Sequence, residues 1–383
     1  MATKQTAKKK TGAKQASRTR KAPFGTFFLP GPTEVRPQIL ETMLQPMMGH
    51  RVVEMEEMMG RIQPRLKRIF KTERPVYVAA ASATGFMEGS LRNGARRRVL
   101  SLVNGAFSER FFQIARSTGL EADPLEVQWG KAHTPEMLES ALSRGIYDAV
   151  TVVHSETSTG VLNPIQELAD VTQRAGDVVL LVDSVSALGG ADFRTDEWGV
   201  DLVLTGSQKC LALPPGLAFC VAQRHILERA QSKDDRGIYF DFLEFERNIL
   251  KNQTPNTPAV SLLYALAAQV EAIEVEGLQK RFDRHEAMAQ RVYEWVADMR
   301  ENRGVDLHVL APEGYRSPTV TCIKVPEGWS GPRVAGGAAE RGFTIATGYG
   351  AMREATFRIG HMGDHTLDRL ESLLEALTDV FAT

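Results

Sequence analysis

Residues 203–216, VLTGSQKCLALPPG, place a lysine just beyond a short apolar run. The run Asp201–Thr205 is followed by Gly206, Ser207 and Gln208, then Lys209, and no acidic residue comes until Glu228. An ammonium delivered from the end of a buried strand, with no counter-charge near it in sequence, is costly unless it has chemistry to perform. Working outward, similar runs stand at Pro75–Ala80, Arg98–Val103, Ala149–His154, Val178–Val182 and Gly216–Val221. Several lack polar alternation, as expected for strands buried on both faces of a parallel sheet. Segments between them, such as Ala106–Ser117 and Thr134–Ser143, have helical composition. This βα succession predicts an α/β layer structure with right-handed crossovers.

The texture then changes. Val260–Glu276 and Leu278–Arg300 read as long helices. Strand-like stretches follow at Ser317–Val325, Gly342–Thr347 and Thr356–Ile359, then a last helix from about Thr366. We expect three parts: a disordered basic tail over 1–24, a large domain with an amino-terminal arm over 25–280, and a small α+β domain over 281–383. No internal repeat is visible.

The 383 residues are 43% hydrophobic and 24% charged, an ordinary globular composition. No apolar stretch approaches the ~20 residues of a membrane span, and no apolar segment follows the basic start as a secretory signal would require. The three cysteines, Cys210, Cys220 and Cys322, have neither metal-ligand spacing nor an even count, so a reducing cytoplasm is expected. The net charge of −1 hides an asymmetry: residues 1–21 carry eight basic residues and no acidic one, which leaves the rest at −9. Such a segment cannot bury a core.

Ligands in open parallel sheets bind at the carboxyl ends of the strands. After Pro75–Ala80 comes Ala81-Ser82-Ala83-Thr84-Gly85, small residues and two hydroxyls at a helix start, suited to a phosphate. After Arg98–Val103 comes Asn104-Gly105-Ala106-Phe107, with an aromatic that could face a flat ring. After Ala149–His154 comes the polar loop Ser155-Glu156-Thr157-Ser158-Thr159-Gly160, and after Val178–Val182 comes Asp183, a buried acid that calls for a cationic partner. With Lys209, this set suits pyridoxal 5′-phosphate: an amine for its aldehyde, a carboxylate for its ring nitrogen and a helix start for its phosphate. Taken singly, each has a plainer reading as a cap, core or turn residue. No Walker loop, GxGxxG or HExxH is present, and no metal ligand set is expected.

Nine stretches, in order, resemble the class V aminotransferases of the fold-type I pyridoxal-phosphate enzymes, most closely the alanine–glyoxylate/serine–pyruvate group. They are LPGPTEV (29–35), SATGFMEGSL (82–91), NGAFSER (104–110), HSETSTGVLNP (154–164), LVDSVSALGG (181–190), TGSQK (205–209), NTPAVSLLYAL (256–266), YRSPTV (315–320) and FRIGHMG (357–363). The resemblance implies a mainly parallel seven-stranded sheet with helices on both faces and a smaller α+β carboxyl-terminal domain. It implies that Lys209 binds the cofactor aldehyde and moves the proton, that Asp183 pairs with the ring nitrogen and that Phe107 stacks on the ring. Ser82, Ala83, Thr84 and Gln208 would bind the phosphate, and Ser158 would lie near the ring hydroxyl. Arg358 would clamp the substrate carboxylate, with Gly31 lining the pocket. Thr257 would reach the neighbouring subunit's phosphate, which implies a homodimer with shared active sites. Thr254 stands where relatives often carry an aromatic. The implied reaction moves an amino group from alanine, serine or aspartate to glyoxylate or pyruvate by a ping-pong mechanism. A lyase or cysteine desulfurase of the same fold is the alternative. A second alternative rests on TKQTAKKKTGAKQ (3–15), which resembles a histone amino-terminal tail. Such a segment could contact nucleic acid or another acidic partner by counterion release.

Overall fold

The computed structural model describes residues 24–382. The basic segment at 1–21, and with it nearly all of the expected tail, lies outside the described residues.

Among the described residues, seven strands form one sheet in the spatial order Tyr77–Ala79, Ala218–Ala222, Leu202–Gly206, Val179–Asp183, Ala149–Val153, Arg98–Val103 and Glu121–Glu126. Only Ala218–Ala222 runs antiparallel to its neighbours. Every residue of Ala149–Val153, Val179–Asp183, Leu202–Gly206 and Ala218–Ala222 is buried, so both faces of the central sheet are covered. That burial explains the apolar runs in the sequence.

The seventh strand, Glu121–Glu126, has no such run. Its sequence EADPLE is half-exposed at the sheet edge, where Pro124 and the acids are tolerated. The helices Ala83–Gly94 and Ala106–Ser117 each follow a strand and pack back onto the sheet. They start at the carboxyl ends of Tyr77–Ala79 and Arg98–Val103, so their amino termini point at the same rim as Asp183.

A five-stranded sheet carries a second core around Val292, Trp295, Ile323, Phe357, Leu373 and Leu377. Its order is Phe27–Phe28, Thr344–Thr347, Thr356–Gly360, Val320–Lys324 and His308–Val309. The outermost strand, Phe27–Phe28, comes from the amino-terminal end of the described chain and pairs in parallel with Thr344–Thr347. The helix Leu278–Glu301 lies against this sheet, and Leu367–Phe381 closes the chain. A two-stranded hairpin, Ser155–Glu156 with Val161–Leu162, joins the two sheets. The Ser317 N–H donates to the Gly160 carbonyl at 2.9 Å and the Leu162 N–H to the Tyr315 carbonyl at 2.8 Å. Gly160 has φ +72°, and a Cβ there would lie 3.1 Å from the Cys322 backbone nitrogen, so the close docking requires glycine.

Candidate active site

The parallel register sets Asp183 level with Val153 on one side and Leu204 on the other. Lys209 follows in the turn after Leu202–Gly206. Both side chains face one cavity of about 250 Å³, whose walls also include Ser82, Ala83, Thr84, Phe107 and Gln208. Seven of the sequence-predicted residues therefore come together.

Lys209 is buried, and its ammonium donates to the Pro30 carbonyl. The turn that supplies this carbonyl can come so close because residue 31 is glycine. Gly31 has φ +102°, and a Cβ on it would lie 2.4 Å from Lys209 Cδ. The Thr33 N–H donates to the Gln208 carbonyl at 2.8 Å and ties the same segment to the lysine turn.

Burial lowers the Lys209 pKa to about 8; the Arg358 charge adds to the fall, while Asp183 and Glu156 oppose it. Burial raises Asp183 to about 7, against the Val185 N–H bond at 2.8 Å and the charges of Lys209 and Arg110. An amine moved down and an acid moved up, facing one cavity, are the paired shifts that acid–base chemistry at neutral pH requires.

The phosphate-suited corner is the start of the helix Ala83–Gly94. Its cap residue Ser82 is exposed and makes no side-chain cap hydrogen bond, and Thr84 is exposed beside it. The hydroxyls and first-turn N–H groups are thus presented to the cavity. Phe107 stands across from them, its ring centroid 5.7 Å from the Lys209 ammonium, 5.3 Å from the Arg110 guanidinium and 5.5 Å from the Tyr349 ring.

Three predicted residues lie elsewhere. Arg358 comes from the small sheet and is 8% exposed. Its Nε donates to the Thr347 carbonyl at 3.0 Å and its Nη1 to the Thr157 carbonyl at 3.1 Å. Thr157 lines the cavity, so the guanidinium is bonded to a lining residue without lining the cavity itself. Ser158 turns its hydroxyl away, donating to Glu156 at 2.6 Å and accepting from the Ala106 N–H at 3.0 Å. Thr257 is exposed, beside a crevice with Thr254 and Ala80, apart from the lysine cavity. The Thr254 hydroxyl donates to the Asn256 carbonyl at 2.8 Å. Sequence reasoning missed Arg110 and Tyr349. Arg110 lines the cavity and has no ion-paired carboxylate among the described residues; its Nη2 lies 3.5 Å from the Tyr349 hydroxyl. Tyr349 also lies under Arg358, 5.6 Å from guanidinium to ring.

The family model "Aminotransferase class-V" matches residues 93–349, a span that includes Phe107, Asp183 and Lys209. The chain belongs to the class V aminotransferases. It is 38% identical to an uncharacterized aminotransferase of Methanocaldococcus jannaschii over 88% of this chain and 87% of the relative. It is 34% identical to a serine–glyoxylate aminotransferase of Methylorubrum extorquens over 90% of this chain and 88% of the relative. The crystal structure of an alanine–glyoxylate aminotransferase from Nostoc sp. superposes with a TM-score of 0.86 at 27% identity, covering 93% of this chain and 95% of that one. This class V aminotransferase is a transaminase, and its family implies pyridoxal 5′-phosphate. The residues present fit that group: a buried amine and a buried acid share one cavity with an aromatic face and an uncapped helix start.

Proposed function

We propose that this transaminase moves the amino group of a small amino acid, alanine or serine, to glyoxylate or pyruvate in two half-reactions at one site. The observation that carries this reading is the shared cavity of Lys209 and Asp183, with Arg358 bonded to Thr157, which lines it. When bound, pyridoxal 5′-phosphate supplies an aldehyde for the amino group and a ring that takes up the electron pair released at the α-carbon. Ser82, Ala83, Thr84 and Gln208 hold its phosphate, and Phe107 supports its ring. Asp183 holds a proton at the ring nitrogen, and a cation beside the carboxylate keeps that acid ionised. Lys209 accepts the α-proton and returns it. Arg358 binds the α-carboxylate through the N–H groups its two carbonyl partners leave over. Gly31 leaves room for the substrate beside the lysine.

A second reading of the donor rests on Arg110. A guanidinium at the cavity wall with no carboxylate partner suits the distal carboxylate of aspartate. A cysteine desulfurase needs an accessible thiolate. Cys210, Cys220 and Cys322 are all buried, and burial raises the Cys210 thiol to about 12 and the Cys322 thiol to about 11.

The homodimer reading is supported by large apolar side chains left exposed on the described chain. Leu44 is 84% exposed, Met47 71% and Leu250 72%. The Tyr264 hydroxyl, 2.7 Å from the Pro46 carbonyl, and Arg51, 3.4 Å from the Pro255 carbonyl, hold the first segment against the loop that carries Thr257. The two separate cores support a division near residue 280, with Phe28, from the expected large domain, packed in the second core.

The test is steady-state kinetics with alanine, serine and aspartate against glyoxylate and pyruvate. Ping-pong patterns with at least one of these donors are expected; absence of transfer with every pair would overturn the substrate reading.

A further inference from the structure

Residues 155–160, SETSTG, read in sequence as a polar loop, yet every one of them is buried. A buried polar segment has to satisfy its groups internally. Glu156 shows how. It is 0% exposed, and its carboxylate collects donors from two directions. From the helix Ala106–Ser117 it accepts the Phe107 N–H at 3.1 Å, the Ser108 N–H at 2.9 Å and the Ser108 hydroxyl at 3.0 Å. From its own hairpin it accepts the Ser158 N–H at 3.1 Å and the Ser158 hydroxyl at 2.6 Å. Ser158 Oγ in turn accepts the Ala106 N–H at 3.0 Å.

The first-turn N–H groups of a helix lack intrahelical partners and are ordinarily met by the cap residue just before it. Here the cap residue is Gly105, which has no side chain to offer. The N–H groups of Ala106, Phe107 and Ser108 are met instead from about fifty residues downstream. Gly105 is part of the same fit: a Cβ there would lie 2.4 Å from Glu156 Cγ and 2.5 Å from Ser158 Oγ. The carboxylate also sits at the positive end of the helix, where a negative charge is stabilised.

We propose that Glu156 is the positioning residue of this active site: one buried carboxylate locks the helix that carries Phe107 to the hairpin that carries Thr157. Glu156 thereby fixes the ring-facing aromatic relative to the Arg358 anchor, since Thr157 supplies the carbonyl that Arg358 holds. Its charge also reaches the reacting groups, raising the pKa of both Asp183 and Lys209. The inference rests on the reading of Phe107 as the cofactor's ring support.

The experiment compares the wild-type holoprotein with Glu156→Gln and Gly105→Ala. It measures the cofactor dissociation constant, the circular dichroism of the bound cofactor and the pH midpoint of its visible band. Glu156→Gln keeps the shape but offers an amide where only acceptors fit. Cofactor binding is expected to weaken about tenfold or more, with loss of the induced dichroism. Removal of the charge should also move the pH midpoint down by about half a unit, which loss of packing alone would not do. Gly105→Ala keeps the charge and displaces it, so it should weaken binding in the same way. It also serves as the test if Glu156→Gln does not fold. Binding, dichroism and midpoint unchanged in the folded Glu156→Gln protein, or binding and dichroism unchanged in Gly105→Ala, would overturn the proposal. A wild-type protein without any visible cofactor band would instead overturn the cofactor reading of Phe107, a separate failure.

Discussion

The groups on two sides of the cavity are supplied in different ways. On one side, Asp183 and Lys209 stand at or just beyond the ends of adjacent, fully buried strands, each 7% exposed or less. On the other side, Arg358 comes from a buried strand of the smaller sheet, Tyr349 from the segment between two of its strands, and Arg110 from an exposed helix face. Buried strand ends hold reacting groups in fixed geometry and shift their pKa values through desolvation. Loops and exposed faces change without disturbing the core, which suits them to substrate choice. On the proposed function, the chemistry rests on the buried strand ends and the choice of donor on the exposed Arg110 and the loop residue Tyr349, while Arg358, on a buried strand, belongs with the fixed groups.

Substitutions should separate the two sets of groups. Lys209→Ala has the largest expected effect, a loss of transaminase turnover of about 10⁴-fold, because on the proposed roles both the cofactor anchor and the proton carrier go. Single-turnover assays with excess cofactor would measure it. Arg358→Lys keeps the charge and loses the fork. It should lower kcat/KM for every donor by about 10²-fold, with the visible cofactor band intact. Arg110→Ala should act on one donor class only. If aspartate is a substrate, its kcat/KM falls about tenfold while that of alanine changes less than about threefold. Equal losses for both donors would place Arg110 with the fixed groups and break the comparison.

The smallest effect is on stability. Burial holds the Asp183 pKa near 7, above its unfolded value of 3.8, so the folded state binds the proton more tightly than the unfolded state. Its penalty in the cofactor-free protein grows as pH rises from the ordinary carboxylate range and is complete above about 7. Asp183→Asn should therefore raise the Tm of the cofactor-free protein by about 2–4 °C at pH 8, a gain that fades as pH falls toward 4. Calorimetry at the two pH values checks both the size and the sign.

The strand-end residues were legible in the sequence itself, whereas on the other side only Arg358 was anticipated, through the family resemblance, and Arg110 and Tyr349 were not. Val179–Asp183 and Leu202–Gly206 announce themselves because a strand covered on both faces must be apolar throughout, which makes the polar residue at its end conspicuous. The helices Ala106–Ser117 and Val260–Glu276 fall where their composition predicts. Glu121–Glu126 gave no signal, since an edge strand needs neither apolarity nor alternation. Glu156 was passed over because an acid among hydroxyls reads as part of a polar loop, and its partners lie about fifty residues away. Arg110 and Tyr349 meet only through tertiary packing, across 239 residues of sequence. No local pattern encodes such a meeting.

The account stands most directly on the identity of the amine that holds the cofactor. Borohydride reduction of the purified holoprotein, followed by proteolysis and mass mapping, reads it in one step. The structure predicts a single pyridoxyl-modified peptide, containing Lys209, and its disappearance in Lys209→Ala. Modification at any other lysine of the unsubstituted protein, or none at all, would contradict the account.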